Sequence, residues 1–125
     1  MRYCAMLLMM LLLAGCGVTD SAPRGDSAHG ERIFREGLND APPCMTCHQT
    51  AANATGFSLG PNLAGVAERA ATRIDGMTAD DYLRQSILDP HRYLVPGYRS
   101  IMYPQYATVF NDQDVLDIIA FLRTL

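Results

Sequence analysis

PPCMTCHQT, residues 42 to 50, decides how this chain is read. Two cysteines, Cys44 and Cys47, stand three positions apart, and His48 follows the second directly. Three chemistries use such a grouping: a covalently held haem, a thiol redox pair, and half of a zinc site.

Cys-x-x-Cys-His is the spacing for c-type haem attachment. Two thiols three residues apart reach the two vinyl groups on one porphyrin edge. The next residue then turns its imidazole toward the iron, which makes His48 the expected proximal ligand. The rivals have less support. A thioredoxin-like pair expects an alternation of strands and helices, and the sequence has no convincing strand pattern. A structural zinc site needs four ligands, and no cysteine follows Cys47.

The chain has 125 residues, which makes one domain the default. Its ten basic residues are all arginine, and the net charge is −3. That balance argues against a nucleic-acid binder, which would show a basic face. Met1 and Arg2 precede an almost wholly apolar run from Tyr3 to Leu13, followed by Ala14, Gly15 and Cys16. This is the layout of an export signal, and the run is too short for a comfortable membrane span. The ending LAGC, Leu13 to Cys16, resembles the bacterial lipoprotein processing box. The resemblance implies removal of residues 1–15 and acylation of Cys16, with a plain signal peptide as the alternative. Residues 16–27 then form a polar tether that starts at the lipidated cysteine. The eleven residues after Cys16 span roughly 18 Å on average. The folded domain is expected over residues 28–125, on the periplasmic face of a bacterial cell envelope. Export puts it where disulfides persist, so a free thiol pair there needs a reason to stay unoxidised. Covalent capture by haem is such a reason.

Three helices are expected. The first covers about Ala28 to Glu36, with Ser27 as N-cap and Gly37 as its stop. Gly30 inside it costs about 1 kcal/mol against alanine, which a close helix crossing would justify. The second covers Ala79 to Leu88, with Thr78 and Asp81 resembling a capping box and Pro90 ending it. The third starts after Asn111, and Val115, Ile118, Ile119 and Leu122 repeat at helical spacing. Residues 56–65 and 90–104 are rich in glycine and proline and read as loops. Long loops in a small all-helical domain suggest that they wrap something.

On CMTCH, GPNLAG (Gly60 to Gly65), the methionine-bearing loop and the closing helix DVLDIIAFLRTL, the chain resembles the small class I c-type cytochromes. The resemblance implies an all-α cytochrome c fold with one covalent haem c and crossed first and last helices. Gly30, Phe34 and Phe121 match the positions where those helices meet. Pro61 matches the proline whose carbonyl accepts the proton of the proximal imidazole, a bond that orients the ring. Met102, in VPGYRSIMYPQY, matches the distal ligand, giving the His/Met pair of electron-transfer haem. His91 is the rival sixth ligand. Met45 lies between the two cysteines and faces the wrong way; Met77 reads as loop or core packing. One departure stands out: Tyr103 separates Met102 from Pro104, where the family commonly has proline directly after methionine. Arg99 or a tyrosine beside Met102 is a candidate partner for a haem propionate, against a reading of the tyrosines as half-buried packing. His29 reads as a surface residue.

The implied function is a membrane-tethered electron carrier, not an enzyme, serving a membrane-bound reductase or terminal oxidase. A variant makes it a fixed subunit of a respiratory complex, since YLVPGY resembles cytochrome domains associated with terminal oxidases. The alternative is a haem enzyme with an open sixth position, of peroxidase or nitrite-reductase type.

Overall fold

The structure, a computed structural model, describes residues 24–125. The expected signal (residues 1–15), the acylated Cys16 and tether residues 17–23 lie outside the described residues. The described residues are all-α, as expected. They form α1 (Ser27–Glu36), α2 (Val66–Ala70), α3 (Ala79–Leu88), α4 (Tyr106–Val109) and α5 (Asp112–Leu122), with a 3₁₀ turn at Cys44–Thr46. No strand occurs among them; Leu38 and Ala41 make one isolated bridge. None of these helices is long and apolar enough to cross a membrane.

The cap of α1 lies one residue earlier than expected. Asp26, not Ser27, accepts from the backbone N–H groups of Ala28 and His29. An aspartate at N-cap adds negative charge at the positive end of the helix dipole, which serine cannot supply. Gly37 ends the helix at φ 80°, a left-handed conformation that glycine takes without strain. In α3, Thr78 Oγ1 accepts from Asp81 N–H as expected. The return contact differs from a full capping box, because the Thr78 hydroxyl itself donates to Asp81 Oδ2 at 2.6 Å. In α5, Asn111 and Asp114 cap each other reciprocally. The helices α2 and α4 were not expected; with five and four residues, neither is long enough to show a helical repeat.

The most extensive helix contact joins α1 to α5. At its centre a Cβ on Gly30 would lie 1.9 Å from the Asp117 carbonyl oxygen, so only glycine fits. Phe34 and Phe121 meet close by, with ring centroids 5.2 Å apart and planes tilted by 54°. Val115 and Ile118, on the buried face of α5, are the largest fully buried side chains.

Asp117 ties α1 to α5 from within. The residue is 2% exposed. Its carboxylate accepts from Asp26 N–H, Gln113 Nε2 and His29 Nδ1, each at 2.7 Å. His29 is therefore half-buried and paired, not a free surface residue, because the close crossing brings the first turn of α1 onto Asp117. Burial pushes the Asp117 carboxyl up, but the hydrogen bonds from His29, Asp26 and Gln113 outweigh it and leave the pKa below its ordinary value. On the surface, Arg84–Asp112 and Arg123–Asp80 link α3 to α5. Exposed pairs of this kind add little, about 0–1 kcal/mol each.

Two outcomes are expected. Gly30→Ala, which forces the helices apart, should destabilise the protein by about 1–3 kcal/mol in denaturant unfolding. The Asp117 contribution is present above its unfolded pKa of about 3.9 and is lost as pH falls through the lower folded value. Asp117→Asn should therefore lower stability by about 1–3 kcal/mol at neutral pH and flatten the loss of stability on acidification.

Candidate functional site

The motif of residues 44–48 forms one tight turn. Cys47 N–H and His48 N–H both donate to the Cys44 carbonyl, at 3.1 and 3.0 Å. A second segment, residues 58–63, is laid across this turn. Gly60 N–H donates to Cys47 O at 2.9 Å and Leu63 N–H to Gln49 O at 2.7 Å. The Ser58 hydroxyl lies 2.8 Å from each of the Cys47 and Gly60 carbonyls.

This arrangement fixes the imidazole. His48 Nδ1 donates to the Pro61 carbonyl at 2.8 Å. A carbonyl only accepts, so Nδ1 carries the proton and Nε2 keeps its lone pair. Burial lowers the His48 pKa, with the Pro61 bond opposing, and the net shift is downward. The ring is thus neutral at ordinary pH, the form that binds a metal. Gly60 packs flat against it: a Cβ there would lie 2.5 Å from His48 Cε1. Gly60 opens the GPNLAG stretch, but its contact with the imidazole was not expected from the sequence.

His48 opens onto a cavity of about 440 Å³, within the usual range for cofactor sites. Phe34 of α1, Leu83 and Ile87 of α3, and Ile118 and Leu122 of α5 supply apolar wall. Cys44, Cys47, His48, Pro61 and Met102 all line this one space, although Met102 is 54 residues (102 − 48) from His48. Met102 is half-buried and packs against the core. Met45, Met77 and His91 do not line the cavity. His91 is exposed, and its ring contacts the Ser100 hydroxyl instead.

Tyr103, Tyr106 and Phe110 pack in a row after Met102. Tyr103 meets Tyr106 edge-on at 4.9 Å, and Tyr106 stacks on Phe110 at 4.9 Å. The Tyr106 hydroxyl donates to the Pro42 carbonyl at 3.1 Å, tying the methionine loop to the residues before Cys44. Tyr103, the residue that displaces proline from its usual place, is accommodated by this packing.

Cys44 and Cys47 are free, half-buried thiols. Burial pushes the Cys44 thiol up to about 11. A reactive redox pair needs a lowered thiol pKa, so this environment disfavours that reading. Nor do three His, Cys, Asp or Glu side chains come together as a metal site among the described residues. Arg69, Arg73 and Arg99 line the cavity, and no described aspartate or glutamate does. Of the three, only Arg99 was expected at the site; Arg69 is exposed on α2, and Arg73, after it, has a buried Nε that no local sequence signal marks.

The sequence pattern of the cytochrome c family matches residues 27–125. The chain belongs to the cytochrome c family. It is similar to cytochrome c of Chlamydomonas reinhardtii, with 28% identity over 114 residues, covering 82% of this chain and 91% of the relative. Cytochrome c of Nigella damascena is 25% identical over 116 residues, covering 83% and 94%. The family reading makes the chain a haem-based electron carrier, and its cofactor is haem c, held through cysteines. The residues present fit that group. The cavity has apolar walls, two thiols, a neutral imidazole with a free Nε2, and a thioether. It also holds a buried arginine nitrogen, Arg73 Nε, with no hydrogen-bond partner among the described residues.

Gly60→Ala should push the His48 ring off the Pro61 carbonyl. The expected loss is about 1–3 kcal/mol in the stability of the haem-loaded protein, read by thermal or denaturant unfolding.

Proposed function

We propose that this cytochrome is a single-haem carrier that passes electrons one at a time between membrane-bound partners. The placement of His48, Met102 and both motif cysteines on one apolar cavity carries the reading. When bound, haem c supplies the one-electron couple between ferrous and ferric iron. In this reading Cys44 and Cys47 would hold haem c through two thioether links, and His48 Nε2 and Met102 Sδ would ligate its iron. Pro61 holds the Nδ1 proton of His48, which fixes the ring and raises its basicity. The aliphatic wall would limit the access of water to the bound group. In this reading the protein is an electron carrier and not an enzyme in its own right.

The surroundings of the cavity support docking. Leu59, Leu94, Tyr98 and Ile101 line it and are exposed, offering an apolar rim to a partner. Redox encounters use small, weak interfaces that separate quickly. Attachment through a lipid on Cys16 would hold the domain at the periplasmic face of the cell envelope, raising its effective concentration near membrane partners. The export-type start, the LAGC box and the YLVPGY resemblance favour a membrane-bound reductase or terminal oxidase as partner, with the chain either mobile or a fixed subunit.

The test is spectroscopic. Met102→Ala should abolish the thioether-to-ferric-haem absorption band, while His91→Ala should retain it. A wild-type protein that lacks this band and takes up cyanide rapidly would have an open sixth position and favour the enzyme reading. Purification from membranes in mild detergent should bring down a respiratory complex and lipid on Cys16; soluble, unacylated protein would remove the tether.

A further inference from the structure

Arg73 follows α2, its backbone N–H donating to Ala70 O at 3.3 Å. Its Nε is buried and makes no hydrogen bond among the described residues. A guanidinium is a cation whose N–H groups only donate, so a buried one calls for an acceptor. Native structures seldom leave such a donor uncompensated. The Arg73 side chain lines the haem cavity, and no described carboxylate lines that cavity to receive it.

The other two arginines of the cavity are accounted for. Arg69 spends its terminal nitrogens on the carbonyls of Ala64 and Asn62. Arg99 is exposed, so water satisfies it. Arg73 alone combines a cationic side chain with a buried, orphaned Nε–H. The group it awaits is an anion inside the cavity. Haem brings two carboxylates, its propionates.

We propose that Arg73 Nε–H donates to a haem propionate and anchors that carboxylate in the cavity. The proposal rests on the haem reading above and extends it to a residue outside the attachment motif and the axial pair. A charge-assisted N–H to carboxylate bond is among the stronger hydrogen bonds, and it supplies the missing partner on both sides.

The decisive measurement is proton–nitrogen NMR of the reduced, diamagnetic haem-loaded wild-type protein, with Arg73→Lys assigning the signal by its loss. Arg73 Nε–H is expected to exchange slowly with water and to show a through-space contact to a propionate methylene. Rapid exchange with no such contact would overturn the proposal. Reduction potentials give a second reading. Arg73→Gln should lower the potential, because an unneutralised propionate favours ferric iron, and Arg73→Lys should restore much of it. A potential in Arg73→Gln equal to wild type would also overturn it. Wild-type protein carrying no covalent haem would defeat the functional reading itself, whereas haem present with a freely exchanging Arg73 would defeat only this inference.

Discussion

The crossing of α1 and α5 at Gly30 is the constraint from which the rest of the fold follows. The Asp117 carbonyl of α5 occupies the space that any side chain at position 30 would need. That approach sets Phe34 against Phe121 and brings Asp26 and His29 onto the Asp117 carboxylate. Apolar contact alone is non-directional and would let two such helices slide. The excluded volume at Gly30 and the two hydrogen bonds from Asp26 and His29 to Asp117 fix both depth and register. Phe34, Ile118 and Leu122, set by the same crossing, then form part of the cavity wall. The site is therefore built on the first and last helices, far apart in sequence, and completed by loops.

Those loops are ordered by backbone bonds between segments, not by secondary structure of their own. Residues 58–63 are fastened to residues 47–51 through Gly60, Leu63 and Asn62. The methionine loop leads into α4, where Tyr106 reaches back to Pro42. The imidazole and the thioether thus come from segments that share no helix but meet across one cavity. Loop residues carry the chemistry and the crossed helices supply the scaffold.

What the sequence showed, and what it hid, follows from the range of each interaction. Gly30 was legible because a glycine in a helix carries a cost that only a close approach explains. The run Val115, Ile118, Ile119, Leu122 was legible because eleven residues suffice to show a period. The end of α3 was legible because Pro90 disfavours helical backbone before it. Ser27 and Asp26 are both good caps on type alone, and only the path of the chain selects between them. The pairing of His29 with Asp117 joins residues 88 apart and leaves no local trace. Arg73 is similar: its type suggests solvent, and its burial is a product of the turn after α2. Motif spacing drew attention to Cys44, Cys47, His48, Pro61 and Met102, but their convergence on one cavity is a tertiary fact.

The cavity also bears on how stability is divided. Unfilled apolar volume costs about 24 cal/mol per Å³ in well-packed cores. Applied to about 440 Å³, that gives a ceiling of roughly 10 kcal/mol, since the coefficient is for closed cavities and exposed residues line part of this one. A small domain has about 5–15 kcal/mol of net stability in total. The group that fills this space is therefore a large fraction of the core, not an addition to a finished one. The helix crossing and the Asp117 clamp establish the topology, and Leu83, Ile87, Ile118 and Leu122, themselves part of the core, also form wall of the cavity. The covalent links proposed at Cys44 and Cys47 would make that filling permanent, so that fold and cofactor would be maintained by the same contacts.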